Sequence, residues 1–385
     1  MPRPTGTLTY LDHAATTPMR ERAIAAMLPY LRGQYANPSG AHRFARAARQ
    51  AVDEARDAVA AALGVTPGEV VFTSGGTESD NTAVAGAGLE RGDVVVCPAA
   101  EHHAVLHPVE RSGGRVVAVD RRGHVDLDAL ADALDARVRL VSVMAVNNEV
   151  GTRTDLAAVA AVVRARAPQA LLHCDAVQAA SWLDLRAVTG LVDLMSLSAH
   201  KFGGPKGVGV LTVRAGTPLR ALIAGGGQER ERRSGTHNVP GIVALAAALA
   251  ETDAEREGEI ARVGALRERL LDGLLAIDGV TATVPVDATV PGIVHVCVEG
   301  VESEALLFLL DEAGVCAASA SACASGALEH SHVLAAMAVP AARAAGALRL
   351  SLGHTTTLAD IDRAVDAVSG AVTRLRRPVM IGANR

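Results

Sequence analysis

The sequence LMSLSAHKFGGPKGVGVLTV, residues 194–213, places Lys201 and four glycines between two apolar runs. The apolar runs predict two short buried strands, and the glycines remove side-chain bulk around the lysine. A lysine at the end of a buried strand is costly when charged, so it either extends to solvent or its amine is held for chemistry. The small residues beside Lys201 indicate that a large flat group fits there, which predicts a cofactor site.

Five further apolar runs precede this stretch and also predict strands. Helical patterns lie between them, such as residues 42–64 and residues 155–168. Regular alternation of strands and helices is typical of an α/β domain, so we predict a large domain with a mainly parallel seven-stranded sheet. The five runs are residues 69–76, 93–98, 114–120, 138–149 and 170–178.

The pattern changes near residue 250. A buried helix over 239–250 and a separate long amphipathic helix over 255–277 are followed by two strand patterns and two helical patterns. This order predicts a smaller α+β domain. We therefore expect residues 18–250 to form the large domain, and residues 1–17 with 251–385 to form the small one.

The composition limits the classes of function. The chain has 385 residues, a net charge of −5 and only 2% aromatic residues, and it contains no long basic run, so we expect no direct nucleic-acid binding. No apolar run is long enough for a membrane span or a signal peptide, which predicts a cytoplasmic protein without membrane contact. The five cysteines lack CxxC spacing, so we expect neither a disulfide framework nor a metal site.

Several predicted strands end in residues that carry chemistry. Gly76 and Thr77 follow one strand at the expected start of a helix, where free N–H groups bind phosphate, although an ordinary strand–helix turn explains them equally well. Asp175 ends another strand and needs a positively charged or N–H partner, unless it is an N-cap. His102 and Asn148 lie in similar positions. Together with Lys201 they match the needs of a pyridoxal phosphate site: an amine, a phosphate anchor and a counter-ion for the ring nitrogen.

Nine segments resemble, in order, the cysteine desulfurases of the NifS/IscS-like group, from residue 10 to about residue 353. The resemblance implies the pyridoxal phosphate-dependent transferase fold of aspartate aminotransferase type and a homodimer with shared active sites. It also implies removal of sulfur from L-cysteine, with L-alanine as product. The sulfur would pass to an acceptor, either an iron–sulfur scaffold or a tRNA-thiolation enzyme. The segments are YLDHAATTP, FTSGGTESDN, EHHAVL, VNNEVG, CDAVQ, SAHKFGGPKGVG, GGGQERERRSGTHN, SASACASG and RLSLG.

The resemblance implies a role for each matching residue. Lys201 would bind the cofactor as a Schiff base, His102 would stack on the ring and Asp175 would face the ring nitrogen. Arg349 would bind the substrate carboxylate, a task that suits a planar and permanently charged fork. Asn148 would contact both ring and substrate. Gln178 would contact the ring, and the phosphate would be held by Gly76, Thr77, Ser198, His200 and, from the other subunit, Thr236.

Cys323 would be the nucleophile that receives sulfur as a persulfide. A thiolate is required for this attack, and the Ala/Ser/Gly run around Cys323 suits a loop that must carry sulfur outward. Without the resemblance, an incidental cysteine in a surface loop would explain the segment. The chain departs from the family pattern at Ala320, Ala324 and His330. A further cysteine, Cys316, is either a second redox-active sulfur or a packing residue.

Three other functions are compatible with parts of the sequence. A selenocysteine lyase would share the fold and the cofactor, and the sequence does not separate its substrate from cysteine. An aminotransferase would not need Cys323. A sulfur carrier or iron–sulfur-binding module without catalysis would need cluster spacing of its cysteines and would leave Lys201, Asp175 and Arg349 without a purpose.

Overall fold

The computed structural model describes residues 8–90, 92–319 and 331–377. Within these residues the chain forms twelve strands and twelve α-helices. The strands are β1 Thr9–Tyr10, β2 Val70–Thr73, β3 Val94–Pro98, β4 Arg115–Val117, β5 Val138–Met144, β6 Leu171–Asp175, β7 Leu194–Ser198, β8 Gly209–Val213, β9 Val280–Ala282, β10 Ile293–Val298, β11 Val315–Cys316 and β12 Ala347–Ser351. The helices are α1 Glu21–Arg32, α2 Arg43–Leu63, α3 Gly76–Gly86, α4 His103–Arg111, α5 Leu127–Ala133, α6 Leu156–Arg166, α7 Leu185–Leu191, α8 Val239–Leu275, α9 Ser303–Glu312, α10 His332–Ala336, α11 Ala341–Ala344 and α12 Leu358–Arg376.

The central sheet contains the seven strands predicted for the large domain. Their order is β2-β8-β7-β6-β5-β3-β4. β8 runs antiparallel to both of its neighbours, and the other neighbouring strands are parallel. The predicted mainly parallel sheet is therefore confirmed.

Both faces of this sheet are covered by helices. Val70 and Phe72 belong to a core with residues of α2, α6 and the first part of α8, whereas Val71 belongs to a core with residues of α3 and α4. Successive strand residues point to opposite faces, so a strand buried on both sides is apolar at almost every position. This explains why the sequence shows continuous apolar runs rather than alternation.

A second core forms around a three-stranded antiparallel sheet of order β12-β10-β9. Residues of α9, α12 and the last part of α8 pack on it, and Leu11 joins it from the N-terminal segment. Both cores thus contain residues of α8, and the expected boundary at residue 250 lies inside this helix. The division into two domains at that residue stays a prediction.

The prediction of two separate helices over 239–250 and 255–277 is wrong. The structure has one continuous helix, α8, of 37 residues. The intervening residues 251–254, Glu-Thr-Asp-Ala, contain neither proline nor glycine, and nothing in them interrupts the backbone hydrogen bonds. The change from a buried to an amphipathic pattern reflects a change of neighbours along one helix.

None of the helices in the described part of the chain is long and apolar enough to cross a membrane.

Candidate active site

A cleft of about 240 Å³ lies where several strands of the central sheet end. Ligands of open α/β sheets gather at this edge, where the carboxyl ends of the strands meet. The cleft is lined by ten of the twelve predicted site residues: Gly76, Thr77, His102, Asn148, Asp175, Gln178, Ser198, His200, Lys201 and Arg349. Predicted residues from six separate segments are thus brought together.

The first turn of α3 forms one end of the cleft. Its N-cap is Gly75, which has no side chain to bond the free N–H groups of Gly76 and Thr77. These N–H groups and the positive end of the helix dipole favour an anion. The carboxylate of Glu78 in the same turn is neutralised by Arg233, whose Nε lies 2.8 Å from Glu78 Oε1. Ser198, at the end of β7, also lines the cleft.

Asp175 lies at the end of β6 and is 6% exposed. Its Oδ1 accepts a hydrogen bond from the backbone N–H of Val177 at 2.9 Å. Burial raises the pKa of Asp175 to about 6, although the Val177 N–H and the charge of Lys201 oppose the rise. A cation opposite this carboxylate would remove the cost of its charge.

Two further buried carboxyl groups lie near Asp175. Asp80, on α3, lines the cleft, and Oε1 of Glu101 accepts the backbone N–H of Met144 at 2.7 Å. Burial and the charge of Asp175 raise the pKa of both carboxyl groups well above their usual values. Asp80 and Asp175 in the cleft, and Glu101 near it, are therefore carboxyl groups that resist ionisation.

A polar ladder crosses three strands below Asp80. His173 on β6 lies between Ser142 on β5 and Ser196 on β7, with Nδ1 2.8 Å and Nε2 2.9 Å from the two hydroxyl oxygens. Burial lowers the pKa of His173 to about 3, so the ring is neutral. Asp80 Oδ1 is 3.7 Å from His173 Nε2, beyond hydrogen-bond distance.

The amine of Lys201 is held by the N-terminal segment. Lys201 is the last residue of a short 3₁₀ turn, Ala199–Lys201, that follows β7. Its Nζ donates to the carbonyl oxygens of Ala14 at 2.5 Å and Ala15 at 2.9 Å. The amide of Gln178 also donates to the Ala14 carbonyl, at 2.7 Å. The backbone at Ala14 and Ala15 thus orients both Lys201 and Gln178.

The two predicted histidines of the cleft are neutral. His102 is the N-cap of α4, and its Nδ1 accepts the Ala104 N–H at 3.1 Å, so its proton lies on Nε2. Burial and, next, the charge of Lys201 lower the pKa of His102 to about 4. The same two causes lower the pKa of His200 to about 4, and its Nδ1 lies 3.2 Å from Thr16 Oγ1. A neutral imidazole can lie against an aromatic ring or donate one hydrogen bond.

Arg349, on β12, is the largest of the fully buried side chains and is 2% exposed. Its Nη1 donates to the Asn148 carbonyl at 2.9 Å, and its Nη2 pairs with Asp12 Oδ1 at 2.9 Å. Its Nε has no hydrogen-bond partner within the described part of the chain. A permanently charged group with an unused donor is suited to a carboxylate ligand.

Of the other two predicted site residues, Thr236 does not line this cleft. Thr236 is exposed on the segment between β8 and α8, and Cys323 lies outside the described residues, as do Ala320, Ala324 and His330. Cys316 is partly exposed on β11, where it pairs with Tyr10, and burial raises the pKa of its thiol.

Several residues at or near this site have no role that the sequence predicts. Asp12, Ala14 and Ala15 belong to YLDHAATTP, a segment that resembles the family but whose residues have no predicted role. Asp80 follows Gly76 by four residues, so it lies on the same face of α3, and this spacing could have identified it. No local signal marks Glu101 as buried.

The residues present fit pyridoxal phosphate. The uncapped turn of α3 fits a phosphate, and a Cβ at Gly76 would lie only 2.6 Å from Val177 Cγ2, so this approach requires glycine. Asp175 is a buried carboxyl group with a raised pKa, and a protonated ring nitrogen supplies a cation that would stabilise its charge. Lys201 supplies the amine.

Comparisons with known proteins find similarity along nearly the whole chain. The family model described as Aminotransferase class-V matches residues 9–364. A protein named cysteine desulfurase from Gluconacetobacter diazotrophicus is 43% identical over 378 residues, which cover 95% of this chain and 94% of that protein. The IscS-like cysteine desulfurase of Mycobacterium tuberculosis is 44% identical over 394 residues, which cover 98% of this chain and 99% of that protein.

Solved structures show the same fold. One named NifS-like protein has a TM-score of 0.89 at 36% identity and covers 96% of this chain and 100% of its own. One named SspA in complex with cysteine has a TM-score of 0.79 at 29% identity and covers 89% of this chain and 98% of its own. The similarity therefore extends over both cores.

Proposed function

Because the chain belongs to the aminotransferase class-V family, we propose that it is a pyridoxal phosphate-dependent cysteine desulfurase. The observation that carries this proposal is the cleft itself, where Lys201, Asp175, the start of α3 and Arg349 face one space. An amine, a counter-ion, an anion site and a carboxylate receptor together match an amino acid bound to this cofactor. The relatives named cysteine desulfurase, similar along nearly the whole chain, support cysteine as the amino acid.

The residues of the cleft would hold the cofactor at both ends. The N–H groups of Gly76 and Thr77, the hydroxyl of Ser198 and His200 would bind the phosphate. Asp175 would bind the protonated ring nitrogen, while His102 would cover one ring face and Gln178 would contact a ring substituent. When bound, pyridoxal phosphate supplies an electron-withdrawing ring that stabilises negative charge on substrate carbon.

Substrate recognition is assigned to Arg349 and Asn148. The guanidinium group of Arg349 would bind the substrate carboxylate, which orients the amino group toward Lys201. The Asn148 carbonyl accepts from Arg349 Nη1 and so keeps the guanidinium in place. The amine of Lys201 would remove the substrate Cα proton and return it.

Sulfur transfer is assigned to Cys323. The Cys323 thiolate attacks the substrate sulfur, and a sulfur–sulfur bond forms as the substrate Cβ–S bond breaks. The electron pair of that bond stays with the substrate, which takes up a proton and leaves as L-alanine. The enzyme keeps the sulfur as a persulfide until an acceptor takes it.

The partners of the protein belong to the same proposal. An exposed Thr236 is compatible with a contact across a dimer interface, where it would reach the phosphate bound by the other subunit. The acceptor would be an iron–sulfur scaffold or a tRNA-thiolation enzyme. The expected cytoplasmic location also stays a prediction.

The test is alanine release from L-cysteine by the purified holoenzyme, beside the variants Cys323→Ala and Lys201→Ala. We expect the wild-type protein to release alanine. Cys323→Ala should keep the cofactor absorbance but release none, and Lys201→Ala should lose the covalent attachment of the cofactor. If wild type carries the cofactor on Lys201 and still releases no alanine, the desulfurase function is wrong, and selenocysteine is the next substrate to assay.

A further inference from the structure

The charge of Arg349 is already partly neutralised by the protein. Its Nη2 lies 2.9 Å from Asp12 Oδ1, and the side chain of Arg349 is 2% exposed. A buried guanidinium in such a pair is a weaker attractant for a second carboxylate than an unpaired one, because both anions share one cation. Asp12 itself does not line the cleft.

Asp12 is built into its position. Its carbonyl accepts the Tyr10 hydroxyl at 3.1 Å and the Ala15 N–H at 3.0 Å. Its backbone also bridges to Ser351, two residues after Arg349 on β12. Because the backbone is held on both sides, the carboxylate stays beside Arg349 with little conformational freedom to lose.

Other charged or titratable groups around Arg349 do not replace Asp12. Glu149 is buried and close enough for the charge of Arg349 to oppose the rise of its pKa, but burial still raises that pKa to about 7. Burial lowers the pKa of His295 to about 3, with the positive charge of Arg349 as a further cause, so His295 adds no positive charge. Tyr10 remains a neutral phenol. Asp12 is the acidic side chain that pairs directly with Arg349 in the described part of the chain.

We propose that Asp12 is a positioning residue that attenuates Arg349, so that the cleft binds a substrate carboxylate through the guanidinium yet releases the amino acid product. The inference rests on the proposed function, because it assigns an amino acid to the cleft. An incoming carboxylate uses the donors that Asp12 and Asn148 leave free, among them Nε. Without Asp12 the guanidinium would retain its full charge and hold carboxylates longer.

The test compares two probes on the holoenzyme variants. L-Alanine carries the carboxylate that Arg349 would bind, whereas ethylamine is the same amine without it. Binding of each is followed by the change in absorbance of the bound cofactor. In Asp12→Asn we expect the dissociation constant of L-alanine to fall about tenfold, because Asp12 no longer competes with the ligand carboxylate for the charge of Arg349. The dissociation constant of ethylamine should stay unchanged.

The variants distinguish attenuation from a merely structural role. A loosened site would weaken the binding of both probes, whereas loss of attenuation strengthens the binding of L-alanine alone. Loss of attenuation also lowers both KM and kcat for L-cysteine, because the product leaves more slowly. The double variant Asp12→Asn with Arg349→Gln should show no gain for L-alanine, since the gain acts through Arg349. Asp12→Ser serves as a second variant if Asp12→Asn does not fold.

Unchanged or weaker L-alanine binding in the folded Asp12 variants overturns the inference. If the wild-type holoenzyme responds to neither amine, the proposed function fails, and the inference fails with it. If wild type responds to both amines equally, Arg349 does not read the carboxylate and the inference alone is wrong.

Discussion

Burial, more than residue type, determines the protonation of the carboxyl groups in and near this site. Burial raises the pKa of Asp80, Glu101 and Asp175, and the charge of Asp175 further raises the pKa of the other two. The positive charge of Lys201 opposes the rise in the pKa of Asp175. A site with more buried carboxyl groups than cations favours a cationic ligand, and a protonated pyridine ring is one.

Glu149 gives a prediction on stability and pH. Burial raises its pKa from 4.5 to about 7, even though Ser331 donates a hydrogen bond to it. A raised carboxyl pKa contributes stability that is fully present below pH 4.5 and is lost as pH rises to 7. Glu149→Gln cannot ionise, so its free energy of unfolding relative to wild type should rise by about 2–3 kcal/mol between pH 5 and pH 8.

Denaturant unfolding of the two proteins at several pH values measures this difference. Glu257→Gln, a change of an exposed glutamate on α8, is the matched control and should show no such trend. A difference between Glu149→Gln and wild type that stays constant over pH 5–8 would show that Glu149 ionises normally in the folded protein.

The elements matter for function through their ends. β6 ends at Asp175, β7 ends at Ser198 and α3 begins at Gly76, and all three residues meet at one edge of the sheet. Parallel strands place their carboxyl ends together, so helices that follow them begin beside the same cleft. The geometry of the proposed phosphate site therefore depends on how α3 begins.

Gly76→Ala should weaken cofactor binding. A Cβ at this position would lie 2.6 Å from Val177 Cγ2, and relief of such a contact typically costs about 1–3 kcal/mol. The share of that cost that falls on the start of α3 weakens binding there, so the dissociation constant of pyridoxal phosphate should rise, by at most about 150-fold. Titration of the apoprotein with the cofactor, followed by absorbance, measures the change.

Val177→Ala supplies the control for Gly76→Ala, because it removes the methyl group that the new Cβ would meet. The double variant should recover most of the lost affinity. If it binds as weakly as Gly76→Ala alone, the effect does not arise from this contact.

At the scale of the whole molecule, the N-terminal segment ties the two cores to the site. Leu11 packs in the second core and Ala14 packs in the first. In the same segment, Asp12 pairs with Arg349, and the carbonyl oxygen of Ala14 accepts a hydrogen bond from Lys201. Movement of one core relative to the other would therefore disturb both the amine of Lys201 and the guanidinium of Arg349.

The proposed dimer predicts complementation between two defective proteins. If Thr236 of one subunit completes the phosphate site of the other, Lys201→Ala and Thr236→Ala damage different partners of each shared site. A mixed dimer would then contain one site with both residues intact. After subunit exchange, the mixture should release more alanine from L-cysteine than the sum of the two variants measured apart.

Co-purification of one variant without a tag together with the other variant carrying an affinity tag establishes that exchange occurred. The pair Lys201→Ala with Asp175→Asn is the control, because both residues line the same cleft of one subunit. Equal gains in both mixtures, or no gain with Thr236→Ala despite exchange, would contradict a shared site.

The sequence by itself determined the strands of the central sheet, because burial on both faces leaves a continuous apolar run that is visible locally. It also determined that Lys201, Asp175 and Gly76 would meet, since residues at the carboxyl ends of parallel strands gather at one edge. The continuous α8 was missed because a helix that passes from one core to another changes its apolar pattern without a break.

Only the tertiary structure decided which groups surround those residues. Asp12 and Arg349 are 337 residues apart in the chain, and Lys201 is 187 residues from Ala14. Such contacts depend on how the two cores pack, and no local pattern records that packing. The burial of Asp80 and Glu101 likewise arises from neighbours on other strands and helices, and this burial sets their protonation.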